Sequence, residues 1–165
     1  MDFISIIMGS KSDYETMQEC ISVLKKFDCL YEVIISSAHR SPNRTRQYVK
    51  DAQSRGACVF IAAAGMATHL AGAIAAETSR PVIGVPLDTS PLNGLDSLLS
   101  TVQMPSSMPV ATMAIGKAGA INAAYLAMQI LALKNEELAG KLVQDRVMKA
   151  KKVELDSNEI EVRIV

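Results

Sequence analysis

The chain has 165 residues, of which 49% are hydrophobic, and its 17 basic and 17 acidic side chains leave a formal net charge of zero. This length fits one domain with a proper core, and the charge balance argues against a nucleic acid or a membrane surface as a partner. Because Cys20, Cys29 and Cys58 lack metal-ligand spacing and no basic leader follows Met1, we expect a cytoplasmic protein with reduced thiols.

The first predicted element is a strand over residues 3–8, followed by the turn 9–10 and an amphipathic helix. Ser12 and Glu15 have capping-box spacing, so one interpretation makes Ser12 a cap and Asp13 a first-turn acid. The other interpretation is a binding site. In that case the turn offers free N–H groups to an anion, and Asp13 accepts a hydrogen bond from a ribose hydroxyl.

A second apolar run, residues 30–35, predicts another buried strand, and its exit loop contains His39 next to Arg40. Ser41 has the character of an N-cap for a helix over 42–55. A lone His-Arg pair in a loop is more often solvated surface than active site. In a parallel sheet, however, this loop lies where such folds bind their ligands.

The third strand, 57–63, leads into a loop of small residues and a helix through about residue 78, with His69 in its first turn. By itself such a histidine is more often structural than catalytic. The later elements are strands at 81–85 and 110–115, helices at 95–104 and 118–133, and a final helix capped by Asn135. A charged tail follows at 153–165, and its last stretch, 159–165, either pairs as an edge strand or frays.

Strands that alternate with helices predict a three-layer α/β sandwich with a central parallel sheet, as in flavodoxin-like and Rossmann-like folds. We expect a single domain over 1–152, including the C-terminal helix, and a tail over 153–165. The exit loops of the first three strands open onto the same sheet edge, so they converge on one ligand.

The chemistry of the site is narrowed by the motifs that the sequence lacks. It has two histidines and no HxH or HExxH spacing, which disfavours a metal hydrolase. It also lacks the GxSxG elbow, the complete P-loop and the GxGxxG fingerprint. The remaining hypothesis is a small phosphorylated ligand, one histidine as acid and base, and no metal or cofactor.

Several segments, in order and correctly spaced, resemble the class I PurE family of N5-carboxyaminoimidazole ribonucleotide mutases: residues 8–13, 37–40, 64–70, 96–100, 102–105 and 114–120. The resemblance implies a step of purine synthesis in which a carboxylate moves from the exocyclic nitrogen to ring carbon C4. It further implies transient decarboxylation with trapped carbon dioxide, no cofactor, and a homo-octamer with active sites near subunit contacts.

By the same resemblance, His39 is the general acid and base, and imidazole suits both tasks near neutral pH. The positions that match substrate binding are Ser10, Asp13, Ser37, Arg40, Gly65 and His69, with Arg40 for the phosphate and Ser37 for loop shape. Two residues depart from the family's loop pattern: Met66 stands in place of a glycine and Ala71 in place of a proline.

Two alternatives remain open at this point. A class II carboxylase joins free carbon dioxide to aminoimidazole ribonucleotide, although His69 and the run 96–105 favour class I. A flavodoxin-like module would bind a phosphorylated cofactor without performing chemistry. Turnover of N5-carboxyaminoimidazole ribonucleotide distinguishes the mutase from the class II carboxylase. A His39→Asn variant that folds, binds substrate and turns it over normally would indicate a binding module.

Overall fold

The computed structural model describes residues 2–160, which form one parallel sheet with helices around it. The strands are β1 (Phe3–Met8), β2 (Tyr31–Ile35), β3 (Ala57–Ala64), β4 (Val82–Pro86) and β5 (Ala111–Thr112), in the order β2-β1-β3-β4-β5. The α-helices are α1 (Tyr14–Lys26), α2 (Pro42–Arg55), α3 (Leu70–Ala75), α4 (Leu95–Val102), α5 (Lys117–Ala132) and α6 (Glu136–Ile160). Within this part of the chain, no helix combines the length and apolarity needed to cross a bilayer.

The sheet separates two apolar cores. Helices α1, α5 and α6 pack on one face, where Ile6 and Met8 of β1 point, whereas α2 and α3 pack on the other face around Ile7. This alternation follows from the two-residue period of a strand, and a strand buried on both faces needs the continuous apolar run seen in β1. The predicted three-layer α/β sandwich is confirmed.

The register of the sheet brings four strand ends together. Met8 pairs with Ile35 on one side and with Ala63 on the other, and Ala64 pairs with Pro86. The carboxyl ends of β2, β1, β3 and β4 therefore lie side by side. The loops that follow these strands leave from the same edge, as a parallel sheet requires.

Three elements are shorter than their sequence patterns predict. Helix α4, expected over 95–104, ends at Val102. The fifth strand was expected over 110–115, but only two of its residues pair with β4, at the edge of the sheet. Helix α3 ends at Ala75 rather than near Thr78. The Thr78 hydroxyl donates to the Gln53 side chain and accepts the Arg80 N–H at 3.0 Å, so a turn replaces the last helical residues.

Helix α6 is longer than expected and continues to Ile160, so residues 153–160 are helical and an edge strand is the wrong interpretation for Glu159 and Ile160. Charged side chains at helical spacing favour this, since Lys152 donates to Asp156 one turn later at 3.1 Å. Most of the alternating pattern that suggested a strand falls at 161–165, which lies outside the described residues.

A buried carboxylate fastens α6 to the rest of the domain. Asp145 is 2% exposed and accepts hydrogen bonds from Lys26 of α1 at 2.6 Å, from Tyr125 of α5 at 2.8 Å and from Lys149 at 2.8 Å. Burial alone raises the pKa of Asp145. The hydrogen bonds from Lys149, Lys26 and Tyr125 outweigh that effect and hold the pKa well below its usual range.

Candidate active site

A cleft of about 550 Å³ opens at the carboxyl edge of the sheet, between the loops that follow β1, β2, β3 and β4. Such an edge is where open α/β sheets bind ligands. All seven residues singled out from the sequence line this one cleft: Ser10, Asp13, Ser37, His39, Arg40, Gly65 and His69. The predicted convergence of the strand-exit loops is therefore observed, and it includes a fourth loop.

The loop after β1 is closed by Asp13, whose carboxylate accepts the Ser10 N–H at 2.9 Å. The expected capping box at Ser12 and Glu15 is therefore wrong, because a 3-10 turn at Lys11–Asp13 precedes α1 and moves the box to Ser10 and Asp13. Asp13 is 4% exposed, and this burial raises the pKa of its carboxyl group. Hydrogen bonds from Ser10 and Ser12 act to lower the pKa, but the effect of burial is larger.

The loop after β2 is a braced turn that presents His39. The Ser41 hydroxyl donates a hydrogen bond to the Ser37 carbonyl at 3.0 Å and accepts one from the Ser37 N–H at 3.2 Å. It therefore binds both backbone polar groups of Ser37. The Ser37 hydroxyl accepts the Arg40 N–H at 3.2 Å. His39 and Arg40 are exposed at the cleft surface, although the backbone that carries them is fixed.

The second histidine meets the first across the cleft. The His69 ring stacks on the His39 ring with centroids 5.8 Å apart and an interplanar angle of 14°. His69 occupies the N-cap position immediately before α3, close to the predicted first turn. A bound group that contacts His39 therefore lies within reach of His69 as well.

The loop after β3 is shaped by close packing at Gly65. A Cβ atom at Gly65 would lie 1.8 Å from Oγ1 of Thr89, so only glycine fits there without movement. The next residue, Met66, has φ of 58° and is 60% exposed. Ala71, which takes the place of the family's proline, is buried in the first turn of α3, where either residue is acceptable.

Thr89 is a cleft residue that the sequence did not single out. It lies in the loop after β4, where its hydroxyl packs against Gly65. The predicted strand order could have pointed to this loop, since it leaves the same sheet edge as the other three. No sequence motif identified Thr89 itself.

The charges in the cleft are few and well separated in sequence. Of the residues that line it, Asp13 is the one carboxylate and Arg40 the one guanidinium. Among the described residues, the Arg40 guanidinium has only two contacts and both are long, 3.4 Å to the Gly9 carbonyl and 3.5 Å to the Ser37 hydroxyl, so most of its donors remain open to an anion. Among residues 2–160, no three His, Cys, Asp or Glu side chains are grouped to hold a metal ion.

Comparisons with known proteins agree with this geometry. A family model described as AIR carboxylase matches residues 3–152. The N5-carboxyaminoimidazole ribonucleotide mutase of Saccharolobus solfataricus is 55% identical over 86% of this chain and 89% of its own length. The N5-carboxyaminoimidazole ribonucleotide mutase of Bacillus subtilis is 52% identical over 87% of this chain and 88% of its own length.

A solved structure gives the same result at the level of the fold. The crystal structure of Treponema denticola PurE superimposes with a TM-score of 0.89 at 26% identity and covers 98% of this chain and all of that one. The resemblance drawn from the motifs is thereby confirmed. Since the family match and the aligned relatives span most of its length, the chain belongs to the AIR carboxylase family.

Proposed function

We propose that the protein is an N5-carboxyaminoimidazole ribonucleotide mutase, which moves the substrate carboxylate from the exocyclic nitrogen to C4 of the imidazole ring. Relatives that carry this name share about half of their residues with it. The structural observation that carries the proposal is the cleft in which His39 and the six other matching residues meet. The alternative, a class II-type carboxylase that uses free carbon dioxide, has less support because these relatives are mutases.

The ribose and phosphate of the substrate bind at the ends of the first two loops. Arg40 takes the phosphate, because its guanidinium is exposed and its own contacts are long. Asp13 takes a ribose hydroxyl. Its Oδ2 atom already accepts the Ser10 N–H, but its Oδ1 atom has only a 3.5 Å contact from Ser12 and keeps acceptor capacity.

The reacting end of the substrate lies between His39 and the loop after β3. Gly65 allows the backbone of that loop to approach closely, and His69 faces His39 from the far side. Ser37 acts through the turn, since its hydroxyl is engaged by the Arg40 N–H. The imidazole of His39 is therefore held on a rigid backbone while its ring stays accessible to a ligand.

The reaction balances without an added cofactor. Protonated His39 gives its proton to the exocyclic nitrogen as the bond from that nitrogen to the carboxylate breaks, which yields aminoimidazole ribonucleotide and carbon dioxide. Ring carbon C4 then attacks carbon dioxide to form the new carbon–carbon bond. Neutral His39 removes the C4 proton, so the product forms and the imidazolium is restored.

We also propose assembly as a homo-octamer, with the active sites near subunit contacts. On one face of α4, Leu95, Leu99 and Val102 recur at helical spacing and are about half exposed. On α6, Val143 and Val147 are 62% and 48% exposed. A second copy of the chain would remove these apolar faces from water. Light scattering of the purified protein measures the number of subunits.

Two further assignments belong to the same proposal. We assign the protein to the cytoplasm, since its proposed substrate is a biosynthetic intermediate and Cys20, Cys29 and Cys58 are free thiols. The family match ends at residue 152, which supports a catalytic domain over 1–152 and a tail over 153–165, although α6 crosses this boundary.

The experiment that tests the function compares two substrates. Purified protein is given N5-carboxyaminoimidazole ribonucleotide, or aminoimidazole ribonucleotide with bicarbonate at a low concentration, and the C4-carboxylated product is measured by mass spectrometry. A mutase converts the first substrate efficiently and the second poorly. Conversion of the second alone would establish the carboxylase, and conversion of neither would leave a binding module.

A further inference from the structure

Thr89 lines the cleft with a hydroxyl group that the protein itself does not use. The residue is exposed, and among the described residues its hydroxyl has no hydrogen-bond partner. Other hydroxyls of the cleft are engaged, since those of Ser10 and Ser12 bond to each other and that of Ser37 accepts a backbone N–H of its own loop. Thr68 is buried. The Thr89 hydroxyl is therefore the one most open to a ligand.

The backbone on both sides of Thr89 is held in place. Two residues before it, the Leu87 N–H donates to the carbonyl of the last β3 residue at 3.1 Å, and the Ser97 hydroxyl donates to the Leu87 carbonyl at 2.8 Å. One residue after it, the Ser90 hydroxyl donates to the Asp96 carboxylate at 2.8 Å. Because the loop is already ordered, a hydrogen bond from Thr89 to a ligand loses little conformational entropy.

The order of the strands determines which part of a ligand Thr89 meets. In the order β2-β1-β3-β4, the loop with Arg40 lies at one end of the cleft and the loop with Thr89 at the other. The hydroxyl oxygen of Thr89 lies 1.8 Å from where a Cβ atom of Gly65 would be, so it rests against the backbone of the loop after β3. Since the phosphate binds at Arg40, Thr89 meets the imidazole end of the substrate.

The migrating carboxylate is a second anion on the substrate, and it needs hydrogen-bond donors. Beyond the imidazoles of His39 and His69, the described residues that line the cleft include one cation, Arg40, and no lysine. A fixed cation would stabilise the bound carboxylate more than carbon dioxide and would therefore oppose cleavage of the bond to nitrogen. A neutral hydroxyl avoids this, and it rotates about its C–O bond to follow the carboxylate from nitrogen to carbon.

We propose that the Thr89 hydroxyl donates a hydrogen bond to the migrating carboxylate, in the substrate and again in the C4-carboxylated product. This inference rests on the proposed mutase function. Thr89 transfers no proton and forms no covalent bond. It orients the carboxylate against the imidazole ring, and it distinguishes a carboxylated ribonucleotide from aminoimidazole ribonucleotide.

The test compares two ligands by calorimetry: the C4-carboxylated product and aminoimidazole ribonucleotide, which differs from it only by the missing carboxylate. In Thr89→Ala we expect Kd for the product to rise about tenfold, as when a hydrogen bond to a charged group is lost, and Kd for aminoimidazole ribonucleotide to stay unchanged. Thr89→Ser keeps the hydroxyl and should bind both ligands as the wild type does. Arg40→Lys should weaken both, since both carry the phosphate.

Three binding results would overturn the assignment. They are a Thr89→Ala variant that binds the product as tightly as the wild type, one that loses affinity for both ligands equally, and a Thr89→Ser variant that binds the product as weakly as Thr89→Ala. Each of them, with normal wild-type turnover, refutes the role of Thr89 alone. A wild-type protein that forms no product from N5-carboxyaminoimidazole ribonucleotide refutes the mutase function and this role with it, so the two failures are distinguishable.

Discussion

Replacing Asp145 by asparagine removes the charge that joins α6 to α1 and α5, and its cost follows from the structure. Breaking a buried ion pair by removing one partner costs about 3–5 kcal/mol. Lys26 and Lys149 are each 57% exposed, so solvent already screens much of their attraction to the carboxylate. We therefore expect the free energy of unfolding to fall by about 2 kcal/mol, which lowers Tm by about 4–8 °C in a domain of this size.

The pH dependence of this effect has a definite sign. In the folded protein the pKa of Asp145 lies well below its ordinary value of 3.8. A lowered folded-state pKa stabilises the fold at every pH above the unfolded-state pKa, and the stabilisation disappears as pH falls from there toward the folded-state pKa. The gap in stability between wild type and Asp145→Asn should be constant from pH 5 to 7 and shrink below about pH 4.

The assay is urea unfolding followed by circular dichroism at fixed protein concentration, because assembly contributes to apparent stability. Asp156→Asn is a matched control: it removes an ion pair on the same helix whose carboxylate is 52% exposed, and it should change stability by less than about 0.5 kcal/mol. Equal stability of the wild type and Asp145→Asn, or a gap that persists unchanged below pH 4, would refute this account of α6.

Three further predictions concern the cleft. Ser41→Ala removes the hydroxyl that binds the Ser37 backbone, so kcat should fall about tenfold, while Ser41→Thr keeps a hydroxyl and should stay near wild type. Equal kcat in the two variants would contradict the claim that this hydroxyl positions His39. Arg40→Lys should raise KM about tenfold with little change in kcat, and a fall in kcat alone would exclude the phosphate role. In Gly65→Ala the new Cβ atom would collide with the Thr89 hydroxyl, so Tm in thermal unfolding should fall, and adding Thr89→Ala should restore part of the loss. An unchanged Tm in Gly65→Ala would show that the loop moves to accept the methyl group without cost.

A continuous apolar run predicted a buried strand twice, and the prediction held once. The run that ends at Met8 is β1, which is buried on both faces. The run that ends at Ile35 is a strand, but β2 is the outermost strand of the sheet and its residues are half-buried or exposed, so its predicted burial was wrong. Because loops after parallel strands share one edge, the meeting of Ser10, His39 and Gly65 followed from strand positions alone. The roles of these residues came from the family resemblance and stay proposals.

Features that depend on contacts distant in the chain could not be predicted from the sequence. The need for glycine at Gly65 comes from Thr89, which lies on another loop, and no local pattern marks that contact. The sequence left residues 153–158 without a predicted structure, and alternation at 159–165 suggested a strand. The structure instead continues α6 to Ile160, with Lys152 and Asp156 paired one helical turn apart.

The central claim is that His39 carries the proton in both halves of the reaction, and a His39→Asn variant tests it most directly. Turnover of N5-carboxyaminoimidazole ribonucleotide is measured beside substrate binding by calorimetry. We expect binding to persist while kcat falls at least about a hundredfold, the usual contribution of a general acid and base. A folded variant that binds the substrate and turns it over at the wild-type rate would contradict the account.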